Sequence, residues 1–172
     1  MKKKLLAVGM FVLTFLAATS TAHAVVHYTL GYSSVDENEI RWGGGSKYAG
    51  ALANAIAAWN ARGRVNIAPD TAWTYEDLHI SDVNSNVGVW NGVTGMTTPY
   101  AGTDTLKINT FYLDPQNNSR KQNTITHELG HSLGIAHSPI TNPVTNIMAP
   151  AQSEQMLLGP QDISDYRFLW GG

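Results

Sequence analysis

The sequence has no cysteine in 172 residues, and only 14% of its residues are charged. Without cysteine, a disulfide framework, thiol catalysis and thiolate metal ligation are all excluded. The formal charge of −2 lacks the basic surplus with which nucleic-acid binders grip phosphates, so no nucleic-acid partner is expected. Long charge blocks, low-complexity tracts and internal repeats are absent too. Five Trp, seven Tyr and four Phe demand burial, which excludes a disordered chain. The length suits a single domain.

One long apolar run is present, and it stands at the N-terminus. Leu5 to Ala18 is interrupted only by Thr14, follows Lys2-Lys3-Lys4, and precedes the small-x-small triplet Ala22-His23-Ala24. This is the pattern of a secretory signal peptide over residues 1–24, which leaves 25–172 as the exported domain. The run is shorter than the ~20 residues a membrane span needs. No Cys follows it to take a lipid, so no stable membrane association is expected after cleavage. The expected destination is extracellular, or periplasmic where the source has an outer membrane. The leader carries three of the eleven basic residues and none of the thirteen acidic ones, so the exported domain is acidic. Nothing marks an association face, and a monomer is expected.

Patterning along 25–172 alternates between strands and helices. Val25–Tyr32 reads as a first strand, Val65–Ala68 as a second and Leu78–Val83 as a third. Thr105–Leu113 is the strongest strand signal, and a short strand is possible before Pro99. Gly43-Gly44-Gly45 reads as a break. Tyr48–Arg62 reads as a helix with a stripe of Leu52, Ile56 and Trp59, closed by Gly63. Ser119-x-x-Gln122 fits a capping box opening a second helix that runs to about Gly134. Gly159-Pro160-Gln161-Asp162 looks like the start of a third, with Ile163, Tyr166 and Leu169 or Trp170 as its apolar face. The expected class is α+β.

The chemistry lies in the second helix. His127-Glu128-Leu129-Gly130-His131 reads HExxH. Residues four apart share a helix face, so both imidazoles can meet one cation, while Glu128 stands beside it, placed to take a proton from water. Gly134 and His137 extend the pattern to HExxHxxGxxH. Glycine can adopt the left-handed conformation that ends a helix and turns the chain, bringing back a third imidazole. Three neutral nitrogens with an open position are the ligand set of a catalytic zinc site. With no redox-type ligand, zinc is expected over iron or copper. Three of the five His in 25–172 fall on this spacing, against which chance placement on a solvated helix is a poor account.

HELGHSLGIAHS at 127–138 resembles the signature of the metzincin metallopeptidases, and specifically the matrixins, in Leu133 before the Gly and Ser138 after the third His. Asn146-Ile147-Met148-Ala149-Pro150 resembles their Met-turn, and Gly159–Gly171 their closing helix. The resemblance covers essentially all of 25–172. It implies a twisted mixed sheet with an active-site helix, a backing helix and a C-terminal helix. It also implies zinc held by His127, His131 and His137, Glu128 as general base, and Met148 beneath the metal. Protein or peptide substrates would lie along an edge strand within Gly92–Thr98, with a bulky apolar residue after the cut.

Departures from the family pattern are equally specific. No cysteine is available to plug the zinc from a propeptide, and that segment is not expected here. Before the catalytic helix only His79 stands where a structural zinc would need three His, so His79 is expected to be an ordinary strand residue. Oxygen ligands for calcium could gather from Asp82, Asn84, Asn86 and Asp104, although ordinary turns use the same residues. Asn117-Asn118-Ser119 fits a glycosylation sequon. A catalytically silent module that binds a protein partner is the alternative, and Glu128 argues against it. A zinc-sequestering protein is a third reading, which the lack of any His-rich tract disfavours.

Overall fold

In a computed structural model that describes residues 25–90, 95–100, 102–141 and 143–172, five short strands form one mixed sheet. They are β1 (Glu39–Gly44), β2 (Asn66–Pro69), β3 (Leu78–Val83), β4 (Gly95–Thr98) and β5 (Asp104–Asn109), in the order β2-β1-β3-β5-β4. Every pairing is parallel except β4 with β5. The helices are α1 (Ala49–Asn60), α2 (Thr110–Leu113), α3 (Asn118–Ser132) and α4 (Pro160–Trp170). This is the α+β architecture expected of a matrixin-like domain. The signal peptide expected over 1–24 lies outside the described residues. Among the described residues no helix is long and apolar enough to cross a membrane.

The first strand lies elsewhere than expected. Val25–Tyr32 joins no sheet: it makes a single bridge, Thr29 with Ile135, flanked by hydrogen bonds from Leu30 N to Gly134 O and from Ala136 N to Tyr28 O. Its partner is the loop that follows α3. The true first strand runs into the glycine run that reads as a break. A Cβ at Gly44, which sits at φ +73°, would run into the backbone carbonyl of Ile80, so the strand passes its neighbour too closely for a side chain there. Thr105–Leu113 is likewise half right. The strand stops at Asn109, whose side chain accepts from Phe111 N (3.3 Å) and caps the single turn of α2.

Core packing places the helices. Leu52, Ala55 and Trp59 of α1 are buried, and the Trp59 indole N–H donates to Thr126 O of α3 (2.9 Å). α3 in turn lies against β4 and β5, and α1 against β2. The cap of α3 is Asn117, accepting from Arg120 N (3.0 Å), two residues earlier than the Ser119–Gln122 box. Of the apolar stripe expected on α4, Tyr166 is buried and its hydroxyl accepts from Arg64 N and Val65 N (3.1 and 2.8 Å). The other fully buried residues of that helix are Asp162 and Asp165, so its inner face is more polar than patterning suggests.

Candidate metal centre

α3 places His127 and His131 one turn apart, and Gly134, at φ +83°, ends the helix and turns the chain so that His137 returns. The three Nε2 atoms converge: His137 Nε2 lies 3.1 Å from that of His127 and 3.1 Å from that of His131. Two tautomers are fixed by carbonyls, which can only accept. His127 Nδ1 faces Ile147 O (2.8 Å) and His131 Nδ1 faces Ile135 O (2.8 Å), so both protons sit on Nδ1 and both Nε2 lone pairs point inward. Burial drives the His127 pKa down to about 3, with the His131 charge adding to it. Burial lowers His131 and His137 as well. All three are therefore held neutral, as metal ligation requires. Nitrogens about 2.0–2.1 Å from a tetrahedral ion stand about 3.3 Å apart, close to the observed spacing. The trio fits a single small cation, and among the described residues it is the one cluster able to hold a metal.

Glu128 is buried beside this trio. The Thr97 hydroxyl of β4 reaches its backbone carbonyl (2.8 Å) and its Oε2 (3.2 Å). Burial raises the carboxyl to about 7, opposed by those hydrogen bonds. Gly95 is what lets the edge strand come so near, since a Cβ there would lie 2.8 Å from Glu128 Cγ. A cleft crosses the trio, with a 340 Å³ cavity beside His127 and a 550 Å³ cavity beside His131. Gly95, Glu128 and His137 belong to both. The part of the expected edge strand before Gly95 lies outside the described residues.

Met148 is fully buried under α3, and Gly130 makes room for it: a Cβ at Gly130 would run into Met148 Sδ. The turn carrying Met148 is pinned by Asp162, which patterning marks only as an acid in a first helical turn. Its Oδ2 accepts from Ile147 N and Gly159 N (both 2.7 Å), and its Oδ1 from Met148 N (3.0 Å). Burial pushes the Asp162 carboxyl upward, and these three N–H groups pull it back. Asp162 thus fixes the segment whose carbonyl orients His127. No local signal could have revealed that link, because the partners are some 15 residues apart in the chain.

Of the oxygen residues considered for calcium, Asp82 and Asp104 lie apart. Asp82 accepts from Ser46 Oγ and Lys47 N, whereas Asp104 accepts from Ser34 Oγ and Tyr100 N. Strand register also sets them at opposite ends of β3 and β5, Asp82 beside Ile108 and Asp104 beside Leu78. His79 is an exposed strand residue paired with Glu76 (2.7 Å). Asn117 of the sequon spends its side chain on the α3 cap and on Glu154 (2.8 Å).

The profile of the family described as Matrixin matches residues 10–171. The chain belongs to the matrixin family. Membership carries a metallopeptidase-type function and protein or peptide substrates. Among solved structures, a chain of the GM1 bound form of the ECX AB5 holotoxin is similar, with a TM-score of 0.57 at 13% identity. That alignment covers 83% of this chain and 86% of that one, and the likeness is one of fold. A comparison with curated protein sequences found no match.

Proposed function

We propose that this chain is an exported zinc endopeptidase that hydrolyses internal peptide bonds. The observation that carries the reading is the inward convergence of three neutral imidazole nitrogens next to a buried carboxyl, in a cleft open to an extended chain. His127, His131 and His137 would hold the ion, which when bound supplies Lewis-acid polarisation of the scissile carbonyl and acidifies the attacking water. Zinc suits an all-imidazole set that leaves a position open.

The chain's own residues do the rest. Glu128 takes a proton from the attacking water and delivers it to the departing amine. Thr97, donating to the Glu128 backbone carbonyl and carboxyl, holds that side chain in place. The outer edge of β4, which among the described strands pairs with β5 alone, offers backbone groups to an extended substrate and so gives affinity that tolerates many sequences. Ile147 O and Ile135 O keep the ligand rings from turning. Export follows from the leader-like residues 1–24, and cleavage after Ala24 is the expected processing step.

The test is digestion of a mixed peptide library by the zinc-loaded protein, read by mass spectrometry beside Glu128→Gln. Chelator-sensitive cleavage that Glu128→Gln loses supports the reading. A folded, zinc-loaded wild type that cuts nothing yet retains a protein partner would replace it with the binding-module alternative.

A further inference from the structure

We infer that the cavity beside His127 selects a neutral, amide-bearing side chain next to the scissile bond, and that Thr124 and Gln152 are the residues that read it. The inference rests on the peptidase function proposed above. It departs from the bulky apolar residue that family resemblance implies.

Thr124 precedes Glu128 by four residues on α3, so the two share a helix face, and both line the 340 Å³ cavity. A side chain flanking the reacting bond therefore meets Thr124 within one helical turn of the chemistry. Gln152 also lines the cavity, and its Nε2 donates to Thr124 Oγ1 (3.2 Å). That bond uses the hydroxyl as an acceptor and leaves its proton free to donate. It also leaves Gln152 Oε1 free to accept. One donor and one acceptor then face the same space, the complement of a primary amide. The remaining wall is formed by the small or rigid Ala149, Pro150 and Ala151. Among the described residues no Lys or Arg lines the cavity, so none of them would pair with a substrate carboxylate.

The wall is also held still. Asn123, next to Thr124, donates to Ser153 Oγ (3.2 Å) and Gln155 O (2.8 Å) and accepts from Ser153 N (3.3 Å). These bonds tie the loop bearing Gln152 to α3 and use the hydrogen-bonding capacity of Asn123 itself. Polar groups fixed in advance favour a partner that completes them. They penalise an aliphatic side chain, which displaces their water and returns no hydrogen bond. A site built this way discriminates against an analogue lacking the polar group more sharply than an apolar slot discriminates by size.

The experiment uses peptides that differ only in the residue on either side of the cut: Gln, Asn, Leu, Phe or Glu. The zinc-loaded protein is compared with Thr124→Val and with Gln152→Leu, the latter at an exposed position that the fold tolerates. Expected is a kcat/KM for Gln or Asn about tenfold above that for Leu at one flanking position, the worth of one net hydrogen bond. Both variants should erase or invert that ratio while still cleaving the Leu peptide. A wild-type preference for Leu or Phe at both positions overturns the inference and leaves the peptidase standing. So does a Gln-to-Leu ratio that neither variant changes. Chelator-sensitive cleavage of none of the peptides overturns the peptidase reading, and this inference with it.

Discussion

Replacing Asp162 with alanine should weaken both the fold and the metal centre, although this residue touches no imidazole. Its carboxylate is fully buried and accepts three backbone N–H bonds, from Ile147, Met148 and Gly159. Alanine leaves three buried donors without partners, each costing about 1–3 kcal/mol. Partial relaxation and water entry put the loss near the low end, about 4 kcal/mol in all. That is a large share of the ~5–15 kcal/mol by which domains are stable. For a domain of this size it lowers Tm by about 10 °C. The second effect is more specific. Ile147 N is fixed by Asp162, and Ile147 O in turn fixes the His127 ring. Loosening a ligand's outer partner typically costs 10–100-fold in metal affinity. The assay pairs thermal melting of the metal-free protein with zinc competition against a chromophoric chelator. Asp162→Asn, which keeps an acceptor and the shape, should fall between alanine and wild type. A Tm lowered by less than about 3 °C, together with unchanged zinc affinity in Asp162→Ala, would refute the reasoning.

Gly95→Val should cut kcat/KM at least about tenfold while zinc affinity holds, because its Cβ would lie 2.8 Å from Glu128 Cγ and must displace the carboxyl; steady-state kinetics beside the zinc competition separates the two. Gly130→Ala should cost about 1–3 kcal/mol in urea denaturation, since the added methyl meets Met148 Sδ and lies 3.1 Å from Trp59 Cζ2. Trp59→Phe removes the indole donor to buried Thr126 O and should cost about 1–3 kcal/mol by the same measurement. Stripping the ion with a chelator should lower Tm reversibly in the wild type, and His137→Ala, with one ligand gone, should show little such shift in differential scanning calorimetry.

What was legible in the sequence is what local spacing determines. HExxHxxGxxH keeps all three imidazoles and Glu128 within eleven consecutive residues, so helix periodicity and one left-handed glycine suffice to bring them together. Helices α1 and α4 announce themselves by periodicity and by Pro160. β1 stays hidden because its last residues are glycines, of which Gly44 passes hard against the Ile80 carbonyl, and glycine otherwise signals a break. Val25–Tyr32 has strand-like residues and does form backbone hydrogen bonds, but to the loop after Gly134 rather than to a sheet. The strand signal overruns Asn109 because periodicity cannot see a side chain folding back to cap the next turn. Asp162 and the Thr124–Gln152 pair were illegible for one common reason: each acts through a partner distant in sequence, which only the tertiary fold supplies.

The metal centre is arranged against its own electrostatics. Two imidazoles are locked with their lone pairs facing inward, and a third approaches both at 3.1 Å, where it can donate its single proton to only one of them. In the absence of a cation that arrangement is unfavourable, and something else must hold it. The holding groups are Ile135 O, just beyond the helix end, and Ile147 O, on a residue whose own N–H is held by Asp162 from α4. The C-terminal helix is therefore part of the metal centre, although it contributes no ligand. An ion that binds the folded chain at a thousand times its Kd adds about 4 kcal/mol of stability by mass action. That is comparable to the ~2–4 kcal/mol a disulfide contributes. In a cysteine-free chain, an ion held by this trio would add reinforcement comparable to what other domains draw from a cross-link.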